Sequence, residues 1–459
     1  MEKETHTAQR GLSNRHVQLI AIAGTIGTGL FLGAGNSISH TGPSIIFVYI
    51  AIGALMFILL RTIGEMLYTD PEQHSFLNFI FRHLGGKAGF FTQWSYWLVI
   101  IFMAMAELTA IGSYIQFWLP DVPVWITEPL ILLLLAGLNT LNAKFFGETE
   151  FWFGMIKIVA IVGLILTAII LIFGHYPTPD NGHVSISNIT DNFQMFPKGF
   201  NNFLHSFQMV MFSFAAMEFI GMTAAETKNP RPTLKKAINQ IPVRIIIFYV
   251  GALLAIMAIY NWREIPADKS PFVMVFQLIG IKWAAALINF VVLTSAASAL
   301  NSALFSTSRN LFSLSNMSRS KALKPFTKLS KNGIPLNALI FTTLFLLLTP
   351  VVSLVVSKDA FVLITSITTN LILIVYIITL VAYLKFRKSK AFMPDGFIVP
   401  AYKTLVPIAL VGFILIFLSL FFFQDTVVAA IGSAIWIVVF GAVAYFFFDN
   451  NPEQINPSE

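Results

Sequence analysis

Residues 21–35 read AIAGTIGTGLFLGAG. The stretch is apolar enough for a membrane helix, yet glycines stand at 24, 27, 29, 33 and 35, where such a helix should be most regular. Each glycine in a helix interior costs about 1 kcal/mol relative to alanine. One account is a close-packing face, because small residues let transmembrane helices approach. Packing motifs space small residues four apart, however, and Gly27 and Gly29 are two apart around Thr28. With Thr25 beside them, they point to a segment unwound in mid-span with exposed backbone amides. Irregular backbone at membrane depth is tolerated only where it lines a cavity or is buried in protein.

The rest of the chain bears out a membrane setting. Hydrophobic residues make up 56% of it and charged residues 11%, against about 25% charged in soluble domains. A spanning helix needs about 20 largely apolar residues. Twelve stretches qualify, near 17–36, 43–66, 88–118, 125–142, 150–174, 200–225, 241–260, 274–305, 337–356, 360–384, 404–423 and 427–448. This predicts an all-α integral membrane protein, with its longest connections at 175–199 and 306–336. The polar start, MEKETHTAQRGLSNRH, has no cleavage pattern and does not read as a signal peptide.

Charge sets the orientation. With the N-terminus inside, 23 of the 29 Lys and Arg residues fall on cytoplasmic segments, five on outer ones, and Lys157 within a span. Basic residues favour the cytoplasmic side, so both termini are expected there. The net charge of +7 reports this bias rather than a nucleic-acid partner. With no cysteine, a disulfide framework, thiolate metal site and Cys nucleophile are excluded. The eight histidines lie mostly in tails and loops, and neither a nucleophile elbow nor a phosphate-binding loop occurs. No enzyme, metal site or cofactor is expected. A channel would need rings of charge or a carbonyl filter, usually from repeated subunits.

A second break appears in the sixth stretch. Residues 207–226 read FQMVMFSFAAMEFIGMTAAE, with Glu218 in mid-span. A carboxylate at a helix centre costs about 2.5–3.5 kcal/mol by insertion scales, so Glu218 must face a cavity or a partner. It either serves the site or caps freed amides structurally. Both breaks open a five-helix block, spans one to five and six to ten. Paired interruptions of this kind are a sequence pointer to a transporter's binding site. A half-helix N-terminus offers N–H groups and a positive dipole end to a carboxylate, and freed carbonyls offer acceptors to an ammonium. A zwitterionic amino acid needs both.

At these residues the sequence resembles the amino acid permeases of the amino acid–polyamine–organocation superfamily, and most of all their bacterial amino acid transporter branch. The matching stretches are RGLSNRHVQLIAIAGTIGTGLFLGAG at 10–35, TGPS at 41–44, GEML at 64–67, SYW at 95–97 and AELTAIGSYIQFW at 106–118. They continue with FSFAAMEFIGMTAAETKNPRPTLKKAI at 212–238 and NSALFSTSRNLFSLS at 301–315. The resemblance implies a LeuT-type fold of two inverted five-helix repeats, 17–174 and 200–384, with helices 1 and 6 broken. Two additional helices at 404–448 follow, between cytoplasmic tails at 1–16 and 449–459. It implies that the substrate carboxylate meets Thr25, Ile26, Gly27, Thr28 and Gly29. The ammonium would meet carbonyls around Phe214, Ala215 and Ala216, and Phe212 would close over the substrate. The branch usually has two glycines where this chain has Ala215 and Ala216, so two added methyls bear on that contact. ETKNPRPTLKKA at 226–237 is a marker of the resemblance, not a substrate site.

Three charged residues inside spans are candidates for proton coupling. Lys157, in the fifth span, either snorkels to the interface or is a desolvated amine that titrates during transport. In permeases that the chain resembles, a lysine here takes the place of sodium, which would make the proton the coupling ion. Glu107, in the third span, is a satisfied helix–helix hydrogen bond or carries charge or a proton, and Glu218 is the third. Ser295 and Ser298 of the eighth span are weaker candidates for hydroxyls near Lys157.

The reading is a proton-driven importer of neutral L-amino acids in a bacterial cytoplasmic membrane, working by alternating access. Its partners are the amino acid, protons and membrane lipids, with no cofactor. Apart from Glu218, the pocket segments carry no charge to pair a charged side chain, and Ala215 and Ala216 lean toward serine, alanine or threonine. The alternatives are an exchanger, a permease for aromatic or cationic amino acids, and a sensor that does not transport.

Overall fold

The computed structural model describes residues 25–73, 75–140, 143–178, 182–221, 229–317, 321–330, 333–356 and 359–447, with backbone alone at 143–151, 317 and 447. The expected tails at 1–16 and 449–459, the opening of the first span and the close of the sixth lie outside these residues. The described residues are predominantly helical and hold an isolated bridge, Pro177 to His183, in place of any strand. The helices are α1 Thr28–Phe31, α2 Gly33–Thr41, α3 Ile45–Thr69, α4 Leu77–Leu84, α5 Gly86–Gln116, α6 Val124–Leu138 and α7 Ala143–Phe173. Next come α8 Ser187–Thr190, α9 Phe200–Ser213, α10 Pro230–Ile259, α11 Pro271–Leu278 and α12 Lys282–Met317. The last are α13 Leu336–Leu346, α14 Thr349–Val356, α15 Ala360–Phe386, α16 Tyr402–Ser419 and α17 Val427–Phe447.

Among the described residues, nine helical stretches are long and apolar enough to cross a membrane. This is a multi-pass membrane protein. Its outer surface carries exposed Phe173, Val355, Phe422 and Phe446, which suits hydrocarbon rather than water. α5 and α15 lie innermost, with 72% and 67% of their apolar windows buried, against 22% for α16 and α17. α5 packs on both α12 and α15.

Element ends depart from the expected ones for local reasons. α10 begins at Pro230, eleven residues before the expected 241, because Pro at the first turn suits a helix start and the polar PRPTLKKAINQ winds on as an amphipathic extension. The expected span 274–305 is two helices. Gly280, at φ 84°, turns the chain between α11 and α12. α12 then runs on to Met317, burying Leu311 and Leu314 where a loop was expected. The ninth stretch breaks at Leu347–Leu348, ahead of Pro350, which has no N–H to continue the ladder.

The GEML motif has a structural role. The buried Glu65 carboxylate accepts the Tyr383 hydroxyl at 2.8 Å, Arg387 Nη1 at 2.6 Å and the Val399 N–H at 2.6 Å. Arg61, one turn earlier, donates to Asn239 at 2.5 Å and to the Ile398 carbonyl at 2.7 Å. Together they fix α3 to the end of α15 and to the connector that follows it.

Candidate functional site

Thr25 is helical, and Ile26 and Gly27 are not. Gly27 is extended, at φ −125° and ψ −164°, and its carbonyl accepts from the Leu30 and Phe31 amides as α1 begins. The neighbouring glycines serve close packing. A Cβ on Gly29 would lie 2.6 Å from the Ser213 Cα, one on Gly33 2.6 Å from Met209 Sδ, and one on Gly35 2.7 Å from the Lys269 carbonyl. Both accounts of this stretch therefore apply: the break falls at 26–27, and the close-packing face runs from Gly29 onward.

The second break faces the first. α9 ends at Ser213, residues 214–218 form turns, and helix resumes at Phe219. Ala216 has φ 72°, the left-handed region that favours glycine. The Phe214 and Ala216 carbonyls accept from the Met217 and Phe219 amides, which leaves each a second lone pair. The Phe212 ring lies against Gly29 and meets Phe361 edge-on at 6.2 Å.

A residue that the sequence analysis passed over joins the two breaks. The Tyr249 hydroxyl of α10 lies 2.7 Å from the Thr25 carbonyl and 2.9 Å from the Ser213 carbonyl. Its ring packs with Tyr49 and Phe214 at 5.7 and 5.1 Å. A fully buried tyrosine in an apolar helix needs a partner for its hydroxyl, and this was the available signal.

Glu107 of α5 reaches the first break. Its Oε1 accepts the Thr28 amide at 3.3 Å and stands 2.9 Å from where a Gly27 Cβ would be. The Lys157 ammonium acts on Glu107 through space. Lys157 is only 1% exposed, which does not suit a side chain reaching for the interface. In α12, the buried Ser295 Oγ has no hydrogen-bond partner among the described residues, and Ser298 is also buried. Glu218 turns elsewhere: its carboxylate accepts Tyr96 of α5 at 3.0 Å and Tyr376 of α15 at 2.6 Å. Both of its oxygens are thus hydrogen-bonded within the fold.

The structure thus gathers Thr25, Ile26, Gly27, Thr28, Gly29, Phe212, Glu107 and Lys157 around two facing helix breaks, with Phe214, Ala215 and Ala216 forming the second turn. The amino acid permease profile matches residues 16–457. The chain belongs to the amino acid permease family. The permease is 68% identical over 444 residues to the DL-alanine permease SerP2 of Lactococcus lactis subsp. cremoris (strain MG1363), covering 96% of each chain. It is 61% identical over 452 residues to the serine permease SerP1 of the same strain, covering 97% of this permease and 98% of SerP1. A D-serine/D-alanine/glycine transporter of Escherichia coli (strain K12) is 43% identical over 438 residues, covering 94% and 93%. This is a family of transporters, not of enzymes.

Proposed function

We propose that this permease imports small neutral amino acids, such as serine, alanine and threonine, together with protons across a bacterial cytoplasmic membrane. The chain crosses twelve times with both termini inside, as two inverted five-helix repeats at 17–174 and 200–384 and a trailing pair at 404–448. The observation that carries the reading is the juxtaposition of the two breaks, with Gly29 against Ser213 and Tyr249 between Thr25 and Ser213. One break offers amides to a carboxylate and the other carbonyls to an ammonium. The substrates in the relatives' names, alanine, serine and glycine, are what a pocket narrowed by Ala215 and Ala216 admits.

Coupling follows from Glu107. Its carboxylate occupies the Thr28 amide, where the substrate carboxylate is proposed to bind. Two carboxylates about 4 Å apart repel by about 4 kcal/mol at an effective dielectric constant near 20. The substrate therefore enters best when Glu107 is neutral, which ties a proton to each amino acid, and Lys157 holds the charge balance when the site is empty. A fixed Glu107–Lys157 pair instead favours exchange, the second reading.

The deciding experiment is uptake of labelled alanine and serine, in both enantiomers, into proteoliposomes with and without an inward proton gradient, alongside a Lys157→Ala variant. Gradient-driven accumulation that the variant loses supports proton symport. Uptake indifferent to the gradient but accelerated by internal alanine makes the permease an exchanger. Preferred uptake of arginine or glutamate overturns the substrate class.

A further inference from the structure

A histidine cluster stands apart from this site, at the ends of the two broken helices that the charge bias places outside. His40 closes α2, His205 lies on α9 seven residues before Phe212, and Asp425 lies in the connector before α17. The two imidazole rings sit 4.4 Å apart, and Phe423 meets His205 edge-on at 4.8 Å. His205 Nε2 lies 2.9 Å from Asp425 Oδ1 and 2.8 Å from Oδ2. His40 Nδ1 lies 3.0 Å from Asn202 Oδ1.

The hydrogen bonds assign the protons. Asn202 Nδ2 donates to the Lys198 carbonyl at 2.7 Å, so Asn202 Oδ1 is left to accept from His40 Nδ1–H. The basic nitrogen of His40 is then Nε2. Asp425 accepts from His205 Nε2–H, which leaves Nδ1 as the basic nitrogen, buried and without a hydrogen-bond partner among the described residues. With both rings neutral, the named donors have acceptors. An added proton on His205 Nδ1 meets no acceptor. Protonating both rings sets two cations 4.4 Å apart with one carboxylate, Asp425, in reach, while Lys198 adds positive charge nearby. Imidazole is the side chain whose charge responds to physiological changes of pH, and burial together with the neighbouring His205 favours the neutral form of His40.

We propose that His40, His205 and Asp425 form an outer latch that fastens the outer halves of both broken helices to the trailing helix pair at neutral pH and lets go in external acid. Opening frees α2 and α9 on the side from which protons and substrate arrive. The latch takes its outside location from the proposed orientation, and does not require the proposed substrates or coupling.

Because the chain has no cysteine, a Gln208→Cys substitution places one thiol on α9 between His205 and Phe212, at a fully buried position. Its rate of labelling by a membrane-impermeant maleimide added outside is compared with the same cysteine in an Asp425→Ala background, at equal pH so that thiol ionisation cancels. The expected result is labelling at least about five-fold faster in the Asp425→Ala background near pH 7.5, and equal rates near pH 5.5. With His40→Gln, a milder change, the Asp425→Ala background is expected to stay the faster one near pH 5.5 as well. Equal rates at both pH values, or rates that still become equal near pH 5.5 with His40→Gln, would overturn the latch. Counterflow of alanine in the same vesicles separates the two claims: its absence at every pH would count against the proposed transport, while the labelling still decides the latch.

Discussion

Glu107 Oε1 lies 3.3 Å from the Thr28 amide nitrogen, so a carboxylate of the protein already caps the helix that begins after the first break. We predict that alanine binding to the wild-type permease weakens between pH 5.5 and 8, by up to about ten-fold (about 1.4 kcal/mol) for each pH unit over which Glu107 is ionised. Glu107→Gln keeps an oxygen acceptor for Thr28 and removes the charge, so its affinity should stay level over that range. Radioligand binding to purified protein measures both profiles, and parallel curves would sink the competition between the two carboxylates.

Gly27 in the first break and Gly29 just beyond it should answer differently to the same methyl group. At Gly29 a Cβ meets the Ser213 Cα at 2.6 Å, which is backbone and cannot yield, whereas at Gly27 it meets the end of the Glu107 side chain at 2.9 Å. Gly29→Ala is expected to abolish uptake and lower expression. Gly27→Ala should leave a folded protein with reduced uptake. Equal behaviour of the two in vesicle uptake and size-exclusion profiles would contradict this account.

Ala216 pays for its left-handed conformation with about 1–2 kcal/mol, and glycine adopts that conformation freely. Ala216→Gly should therefore raise the thermal midpoint in detergent, by the equivalent of about 1 kcal/mol after the extra chain entropy of glycine is subtracted. Ala215, whose φ is not positive, should gain nothing from the same change. A lower midpoint for Ala216→Gly would show that its methyl group contributes packing worth more than the strain.

Glu218 joins α5 and α15 through Tyr96 and Tyr376. Tyr376→Phe removes one donor and is expected to cost about 1–3 kcal/mol of stability with substrate affinity within two-fold of wild type, as about 0.4 kcal/mol would give. Loss of proton-driven uptake at unchanged stability would instead place Glu218 in the coupling machinery.

Both breaks were legible in the sequence because each violates a rule of membrane helices within a few residues: paired glycines around Thr28, and an acidic residue at 218. The partners of those residues were not legible, since they come from distant helices. Tyr249 is 224 residues from Thr25, and although a tyrosine in an apolar run signals that its hydroxyl has a partner, the run does not say which. Glu128 sits at the edge of its span in sequence, yet it is fully buried and takes the Ser353 hydroxyl at 2.9 Å across 225 residues. Helix ends near polar segments were misjudged for a different reason. PRPTLKKAINQ and STSRNLFSLS are helical but amphipathic, so apolar content alone stopped the spans too early at these ends.

The Glu65 knot has a consequence for how the permease is made. Its ligands Tyr383, Arg387 and Val399 are synthesised 318 to 334 residues after it. Throughout that interval the growing chain holds a carboxylate on its second hydrophobic segment with its final partners still untranslated. Early helices can enter the bilayer and pack on one another, α3 against α10 among them, but the end of α3 is not tied down until nearly nine-tenths of the message has been read. A chain cut short anywhere before residue 383 leaves that carboxylate without any of these three donors, at the full cost of a buried charge with no partner.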